Sequence, residues 1–243
     1  MKTLVNCGWD DVPHLTEEMK QSMESGMLPH LKEARRNGRP ILGSGAIYPI
    51  PEEDIVYSGI EMDKYWRVGC GFDVGWKKNA AVWGAYNSAN DTIYLTDEYY
   101  RGYAEPAVHA QALLARGKKI PTMIDTAAHA SGQFDGKVLF TSYQDLGLHL
   151  INANKAVDAG LLEVYQRLSS GRLKVHKNLM NWWSEFRIYR RDDKGAIVKK
   201  NDHLMDATRY LVMGLANFDV NKDKIRQEMR NEHMCEVDYE PFQ

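Results

Sequence analysis

Two aspartates stand in apolar surroundings where a carboxylate can do chemistry. Asp73 lies inside an apolar strand-like run, and Gly71 and Gly75 flank it. A buried carboxylate without a partner is costly, so Asp73 requires a cation, a metal or hydrogen bonds, and the glycines permit close approach of a backbone or ligand. Asp125 ends the apolar run 121–124, and ligands of α/β sheets gather at the carboxyl ends of strands. The structural alternatives are that Asp73 caps a loop and Asp125 caps a helix.

A second pair of aspartates begins the last predicted helix. Asp202 and Asp206 are four residues apart and therefore share one helix face. Two bare carboxylates about 4 Å apart repel by roughly 4 kcal/mol at an effective dielectric constant near 20, and a divalent cation reverses that sign. Apolar Leu204, Met205 and Ala207 surround Asp206, which favours a half-buried functional position. Alternatively, Asp202 is the N-cap and Asp206 a solvated first-turn acid, both stabilised by the helix dipole.

Taken together, the four aspartates predict a site for hard divalent cations. Ligands that offer only oxygen suit Mg²⁺ or Mn²⁺ rather than zinc. Several carboxylates around two such ions suit phosphodiester cleavage, in which one ion activates water and the other stabilises the leaving oxygen. The sequence contains no HExxH, GxSxG or GxxxxGK[ST] motif, which argues against a zinc hydrolase, a serine hydrolase and a P-loop ATPase in this chain.

Local basic charge lies next to the last pair of aspartates. Residues 187–200 carry six basic side chains against two acidic ones and lead directly into Asp202. This basic hairpin is a candidate clamp for a phosphate backbone, and two lysines that follow Asp73 could add to it. The predicted DNA-binding residues are Lys77, Lys78, Arg187, Arg190, Arg191, Lys194, Lys199 and Lys200. The structural alternative is a solvated hairpin.

Composition sets limits on the class of protein. The chain has 243 residues, 44% hydrophobic and 26% charged, which predicts one large globular domain with extensions. Its net charge of −2 gives no overall nucleic-acid signal. The three cysteines are scattered, which favours a reducing compartment without disulfides or structural zinc. No apolar run approaches the length of a membrane helix, so we expect no membrane partner.

The order of predicted elements indicates an α/β fold. Three strands follow one another at 66–75, 80–86 and 92–100, and strand–helix units and a closing helix at 202–218 come after them. Sequential strands favour antiparallel pairing and the later units favour parallel crossovers. We therefore predict a mixed sheet, with three sequential antiparallel strands and then parallel strands, flanked by helices. A strand at 172–175 is predicted at the sheet edge.

Three regions are expected along the chain. Residues 1–64 contain helices, one of them capped by Thr16, and irregular glycine- and proline-containing stretches, so we interpret them as a linker or strap. Residues 65–218 hold the sheet and all four aspartates. Residues 219–243 are charged and net acidic, which predicts a peripheral tail that binds DNA poorly.

These motifs resemble the C-terminal nuclease half of the large terminase subunit of tailed phages. The resemblance rests on F-D-V-G-W at 72–76, M-I-D at 123–125 and D-H-L-M-D-A-T-R-Y at 202–210, the last being the most specific. Segments at 9–15, 38–40 and 42–45 resemble the stretch that follows the ATPase engine in such proteins. This chain departs from the family pattern because it has no Walker A motif. We therefore expect it to be a fragment of a large subunit that lacks the ATPase domain.

The resemblance implies an RNase H-like fold and a Mg²⁺- or Mn²⁺-dependent endonuclease, with two ions, that cuts concatemeric double-stranded DNA with low sequence specificity. By motif, Asp73, Asp125 and Asp206 would form the metal triad, with Asp202 as a fourth acid; which of Asp202 and Asp206 is primary stays open. The implied partners are DNA, the terminase ATPase domain, the small subunit and the portal. The implied location is the host-cell cytoplasm, transiently at the viral procapsid.

Two other hypotheses remain. One is another RNase H-like nuclease, of the resolvase or transposase type, for which we expect stronger sequence or junction preference. The other is a non-catalytic module that docks on DNA or the portal, in which the aspartates only cap helices.

Overall fold

The computed structural model describes residues 8–25, 45–125, 139–192 and 194–220. The chain divides into two compact units. The small unit is Met1–Pro49 with Ile188–Val198, and the large unit is Ile50–Arg187 with Lys199–Gln243. Residues 26–44 of the predicted strap and nearly all of the predicted tail lie outside the described residues.

The large unit holds one mixed sheet and the helices that cover it. Its strands are β1 Val56–Tyr57, β2 Arg67–Asp73, β3 Asn79–Asn87, β4 Thr92–Arg101, β5 Thr122–Ile124, β6 Leu150–Asn152, β7 Leu173–His176 and β8 Asp219–Val220. After α1 Glu17–Ser25 of the small unit, the helices are α2 Glu52–Ile55, α3 Pro106–Leu114, α4 Leu139–Asp145, α5 Val157–Ser169, α6 Met180–Ile188 and α7 His203–Met213. Each helix in the described ranges is too short or too polar to traverse a lipid bilayer.

The strand order confirms the predicted mixed sheet. The strands lie in the order β1-β7-β4-β3-β2-β5-β6, and β8 pairs with the beginning of β2. The three sequential strands β2, β3 and β4 form an antiparallel meander. The strands β5, β6 and β7 are all paired parallel to their neighbours on the main path. Short hairpins therefore build the centre of the sheet, and helical crossovers build its flanks.

The predicted edge position of residues 172–175 is wrong. The strand β7 lies between β4 and β1, with Val175 paired to Val56 on one side and to Leu95 on the other. The edge strand β1 comes from within the segment 1–64 and has only two residues, which is too short for an alternating pattern to show in the sequence.

Alternation along β2 decides which face of the sheet carries Asp73. Cys70 and Phe72 point into a core cluster that includes residues of α3 and α4. Gly69 and Gly71 face the other way, where a Cβ on Gly71 would collide with the backbone carbonyl of Ala207 in α7. Side chains of a strand alternate between faces, so Asp73 shares the face of Gly71 and therefore the side covered by α7.

Helix α7 is capped by a side chain from α6. Leu204, in its first turn, donates its backbone N–H to Glu185 Oε2 at 2.6 Å, and Tyr100 donates its hydroxyl to Glu185 Oε1 at 2.7 Å. Glu185 is 2% exposed. Asp202 occupies the N-cap position, yet its side chain makes no capping hydrogen bond. The cap that the sequence assigned to Asp202 as an alternative is thus made by Glu185.

The small unit contains the predicted hairpin and the first predicted helix. Thr16 Oγ1 accepts a hydrogen bond from Met19 N at 3.3 Å at the start of α1, which agrees with the predicted N-cap. Arg191 pairs with Ile197 in an antiparallel bridge, so the chain turns where the sequence predicted a turn. Ala46 pairs with Arg190 in the same way and adds a third segment to this hairpin.

Replacing Gly71 by alanine is expected to lower the free energy of unfolding by roughly 2–3 kcal/mol, because the new methyl group must push α7 away from β2. Gly59→Ala is the matched control, since nothing lies within 4 Å of a Cβ at Gly59 and its φ is not positive. We expect that control to stay within about 0.5 kcal/mol of the wild type. Urea unfolding of the three proteins measures the difference, and equal stabilities would contradict the close packing.

Glu185→Ala is expected to destabilise the fold by about 2–4 kcal/mol, because it leaves the buried Leu204 N–H and the Tyr100 hydroxyl without their acceptor. Glu185→Gln retains one acceptor oxygen and is expected to lose clearly less. Thermal unfolding of both variants measures this order. If alanine is tolerated as well as glutamine, the cap does not stabilise α7.

Candidate metal centre

Three of the four predicted aspartates meet at the carboxyl ends of the strands. Asp73 is the last residue of β2, and Asp125 directly follows the adjacent parallel strand β5, where its N–H donates to Phe72 O at 3.1 Å. Asp206 lies in the first turn of α7, which packs over β2. All three line one open cleft of about 360 Å³. The other lining residues are Lys155, Val157, Lys199, Arg209 and Tyr210.

The carboxylates act on one another electrostatically. Burial, together with the negative charges of Asp206 and Asp125, raises the pKa of Asp73 to about 6, against the opposing effect of a hydrogen bond to His203. His203 Nδ1 lies 2.9 Å from Asp73 Oδ2. This hydrogen bond raises the pKa of His203 in turn, against its own burial. His203 thus holds Asp73 in place.

Cationic side chains hold Asp206. Arg209 donates from Nη2 to Asp206 Oδ1 at 3.0 Å, and Lys199 donates from Nζ to Asp206 Oδ2 at 3.1 Å. Burial of the Lys199 ammonium opposes its charged form, but the charges of Asp206 and Asp202 outweigh burial and raise the pKa of Lys199. Lys199 is well exposed along its side chain, so it can leave the carboxylates without unpacking a core.

Asp202 stands apart from the three cleft carboxylates. It is buried, and its Oδ2 lies 3.2 Å from Lys199 Nζ, an ion-pair contact without hydrogen-bond geometry. It is not among the residues that line the cleft. Of the two acids on α7, the geometry therefore brings Asp206, rather than Asp202, next to Asp73 and Asp125.

The predicted DNA-binding residues fall into four groups. Lys77 and Lys78 lie in the turn that follows Asp73. Arg187 makes a bidentate ion pair with Glu52, at 2.6 and 2.7 Å, which partly offsets its charge. Lys199 reaches the acids of α7, and Lys200 beside it is exposed. The remaining three, Arg190, Arg191 and Lys194, belong to the small unit, and their DNA contact stays a prediction.

Glu185 and Lys155 contribute to the site although sequence reasoning did not single them out. Glu185 had a detectable signal, since it lies three residues after Trp182 and so places an acid on the apolar face of its helix. Burial raises the pKa of Glu185, opposed by its hydrogen bonds to Tyr100 and Leu204. Lys155 follows β6 in a loop, and nothing in its local sequence distinguishes it from other surface lysines.

Within the described ranges, no three histidine, cysteine or acidic side chains are already gathered into a ready cation site. His203 occupies one oxygen of Asp73, and Lys199 and Arg209 occupy both oxygens of Asp206. The carboxylate oxygens of these acids nevertheless suit hard divalent cations. A bound cation would also favour the charged form of Asp73, whose pKa is raised. Such an ion would have to displace the exposed Lys199 from Asp206.

Most of this chain matches proteins of a known family. Residues 70–215 match the family model described as the terminase RNaseH-like domain. The chain is 32% identical over 218 residues to the terminase large subunits of Enterobacteria phage LP7 and Salmonella phage P22. The matches cover 85% of this chain but only 45% and 43% of those proteins, so the chain spans less than half the length of these relatives.

Solved structures agree with the sequence matches. The nuclease domain of the P22 large terminase has 30% sequence identity and a TM-score of 0.68, and the match covers 74% of this chain and 97% of that domain. The large terminase of a thermophilic bacteriophage shares the fold at 20% identity, with a TM-score of 0.59 over 84% of this chain and 54% of that one. These matches confirm the predicted RNase H-like fold. The chain therefore belongs to the terminase RNase H-like domain family, as the resemblance of its aspartate motifs implied.

Proposed function

We propose that this chain is a metal-dependent endonuclease that cuts concatemeric double-stranded DNA for a phage packaging terminase, with low sequence specificity. The observation that carries the proposal is the convergence of Asp73, Asp125 and Asp206 on one cleft, where burial and the two neighbouring carboxylates raise the pKa of Asp73. Carboxylates that oppose one another in this way gain most from a cation between them.

The residues suited to hold Mg²⁺ or Mn²⁺ are Asp73, Asp125 and Asp206, and Asp202 is placed to support them through Lys199. A pair of bound ions would supply a water of lowered pKa and neutralise charge on the leaving oxygen. His203 keeps Asp73 oriented, as a hydrogen-bonded neighbour commonly does for a ligating group.

The other residues of the cleft suit a phosphate substrate. Lys155, Lys199 and Arg209 surround the acids with positive charge that attracts the DNA backbone. Burial and the nearby carboxylates raise the pKa of Tyr210, so its hydroxyl stays protonated and able to donate. Contacts of this kind go to phosphates and carry no sequence information, which supports low specificity.

The proposed partners and location rest on the family resemblance. The match spans less than half the length of the large terminase subunits, so we propose an ATPase domain, the small subunit and the portal as partners, with action in the host-cell cytoplasm at the procapsid. The division into a strap at 1–64, a nuclease domain at 65–218 and a tail remains part of this proposal.

A non-catalytic docking module is the second candidate. It is favoured by the ion pairs of Asp206 with Lys199 and Arg209, which neutralise that carboxylate without any metal. In that case the cleft would bind DNA through its basic residues and would never cleave it. A cleavage assay separates the two functions.

Asp73→Asn and Asp206→Asn are each expected to lower Mn²⁺-dependent nicking of a supercoiled plasmid by about 100-fold or more, because each removes a charged ligand at the centre of the cleft. EDTA is expected to abolish nicking by the wild type. Asp145→Asn, an exposed acid at the end of α4, is the matched control and is expected to nick normally. Wild-type nicking by Asp73→Asn would exclude this site as the nuclease centre.

Lys199→Ala is expected to tighten Mn²⁺ binding about twofold to tenfold, because the ammonium and the ion compete for the oxygens of Asp206. Lys199→Arg retains the charge and is expected to bind Mn²⁺ like the wild type. Calorimetric titration without DNA measures both affinities, independently of cleavage. Weaker binding by Lys199→Ala would instead show that the lysine is needed to hold the carboxylates in place.

A further inference from the structure

An exposed pair of aromatic side chains lies at the same sheet edge as the acidic cleft. Trp76 is 65% exposed and Tyr103 is 69% exposed, and their ring centroids are 6.4 Å apart in an edge-to-face arrangement. Trp76 follows the end of β2 by three residues, and Tyr103 follows the end of β4 by two. Because β2 and β4 are both antiparallel to β3, their carboxyl ends lie at the same end of the sheet, where Asp73 also lies.

The backbone holds this pair in a fixed position. Tyr103 N donates to Trp76 O at 3.1 Å, and Asn79 Nδ2 donates to Gly75 O at 2.8 Å. A side chain on Gly102 would collide with the carbonyl oxygen of Lys77, so the two loops touch backbone to backbone. The rings are therefore displayed by a rigid support rather than by loose loop ends.

Tyr103 adopts a backbone conformation that an aromatic residue rarely takes. Its φ is +52°, in the left-handed region where glycine and asparagine are the usual residues. Strain of this kind persists only where the surrounding structure enforces it, and it clusters at binding sites. Here the strain presents a large ring to solvent, which no core packing explains.

Basic residues flank the exposed pair along the chain. Lys77 directly follows Trp76 and Arg101 precedes Tyr103 by two residues, both of them exposed, and Lys78 Nζ lies 4.2 Å from the centroid of the Tyr100 ring. Residues 74–78 and 101–105 together carry three basic side chains, Lys77, Lys78 and Arg101, and one acidic side chain, Glu105. Exposed rings interleaved with basic residues are typical of surfaces that stack nucleobases and track a phosphate backbone.

We propose that Trp76 and Tyr103 bind an unstacked nucleobase of the DNA strand whose phosphate enters the acidic cleft. The inference rests on the proposed nuclease function and deepens it, because it names locally unpaired DNA as the preferred substrate. Base–aromatic stacking tolerates any base, since every base offers a π-face, so the preference is for structure rather than for sequence.

The experiment measures binding by fluorescence anisotropy in EDTA, where no cleavage can occur. The probes are a fully paired labelled duplex and the same duplex with a central unpaired segment. The test variants of the full 243-residue chain are Trp76→Ala and Tyr103→Asn, asparagine being chosen because it tolerates a positive φ. Trp76→Phe retains a ring. Tyr65→Ala is the matched control, since Tyr65 is 61% exposed beside Lys64 but lies at the opposite end of β2.

Wild-type protein is expected to bind the probe with the unpaired segment more tightly than the duplex. Trp76→Ala and Tyr103→Asn are expected to weaken binding to that probe about tenfold and to leave duplex binding within about twofold. Trp76→Phe and Tyr65→Ala are expected to bind both probes like the wild type. Circular dichroism checks that each variant is folded.

Wild-type affinity of Trp76→Ala and Tyr103→Asn for both probes would overturn the proposal and favour a protein partner for these rings. An equal loss in Tyr65→Ala would also overturn it. The result is independent of the nuclease assignment, because binding in EDTA does not require the carboxylates to act. Retained nicking by Asp73→Asn would therefore end the cleavage proposal without deciding this one.

Discussion

The mutual repulsion of carboxylates gathered at one sheet edge is the constraint on which the site depends. Asp73 and Asp125 end adjacent parallel strands, so backbone pairing alone brings them together, and Asp206 is placed beside them by α7. Burial is the main cause of the raised pKa of Asp73, and repulsion by Asp206 and Asp125 adds to it. In the present arrangement, His203, Lys199 and Arg209 offset this repulsion. Arg209 is buried and His203 orients Asp73, whereas Lys199 is exposed, so Lys199 is the group that can yield to an ion.

The elements that hold the carboxylates could be predicted from the sequence because their signals are local. The apolar runs that carry Asp73 and Asp125 are buried strands, and their patterns predicted both strands. Asp125 was predicted at a strand end, whereas Asp73 was predicted inside a strand that in fact ends at this residue. Gly71 marked a close approach before the approaching backbone was known, and that backbone is the helix that carries Asp206. Periodicity and glycine placement are thus sufficient for the skeleton of this site.

What could not be predicted depends on partners far away in sequence. The spacing of Asp202 and Asp206 puts both on one helix face, yet only Asp206 lines the cleft, and the difference arises from how α7 packs on β2. Glu185 replaces Asp202 as the cap, which no local pattern around Asp202 reveals. The interior position of β7 likewise results from a two-residue strand far earlier in the chain.

The capping carboxylates also show how the position of Asp206 is set by the centre of the sheet. Glu98 of β4 accepts hydrogen bonds from the backbone N–H groups of Asn181 and Trp182, at 2.9 and 2.8 Å, at the beginning of α6. Glu185 of that helix then accepts from Leu204 at the beginning of α7. Each carboxylate interacts favourably with the positive end of the helix that it caps. Two successive caps therefore connect β4 to the helix that carries Asp206, so the third carboxylate is positioned through the same sheet whose strand ends supply the first two.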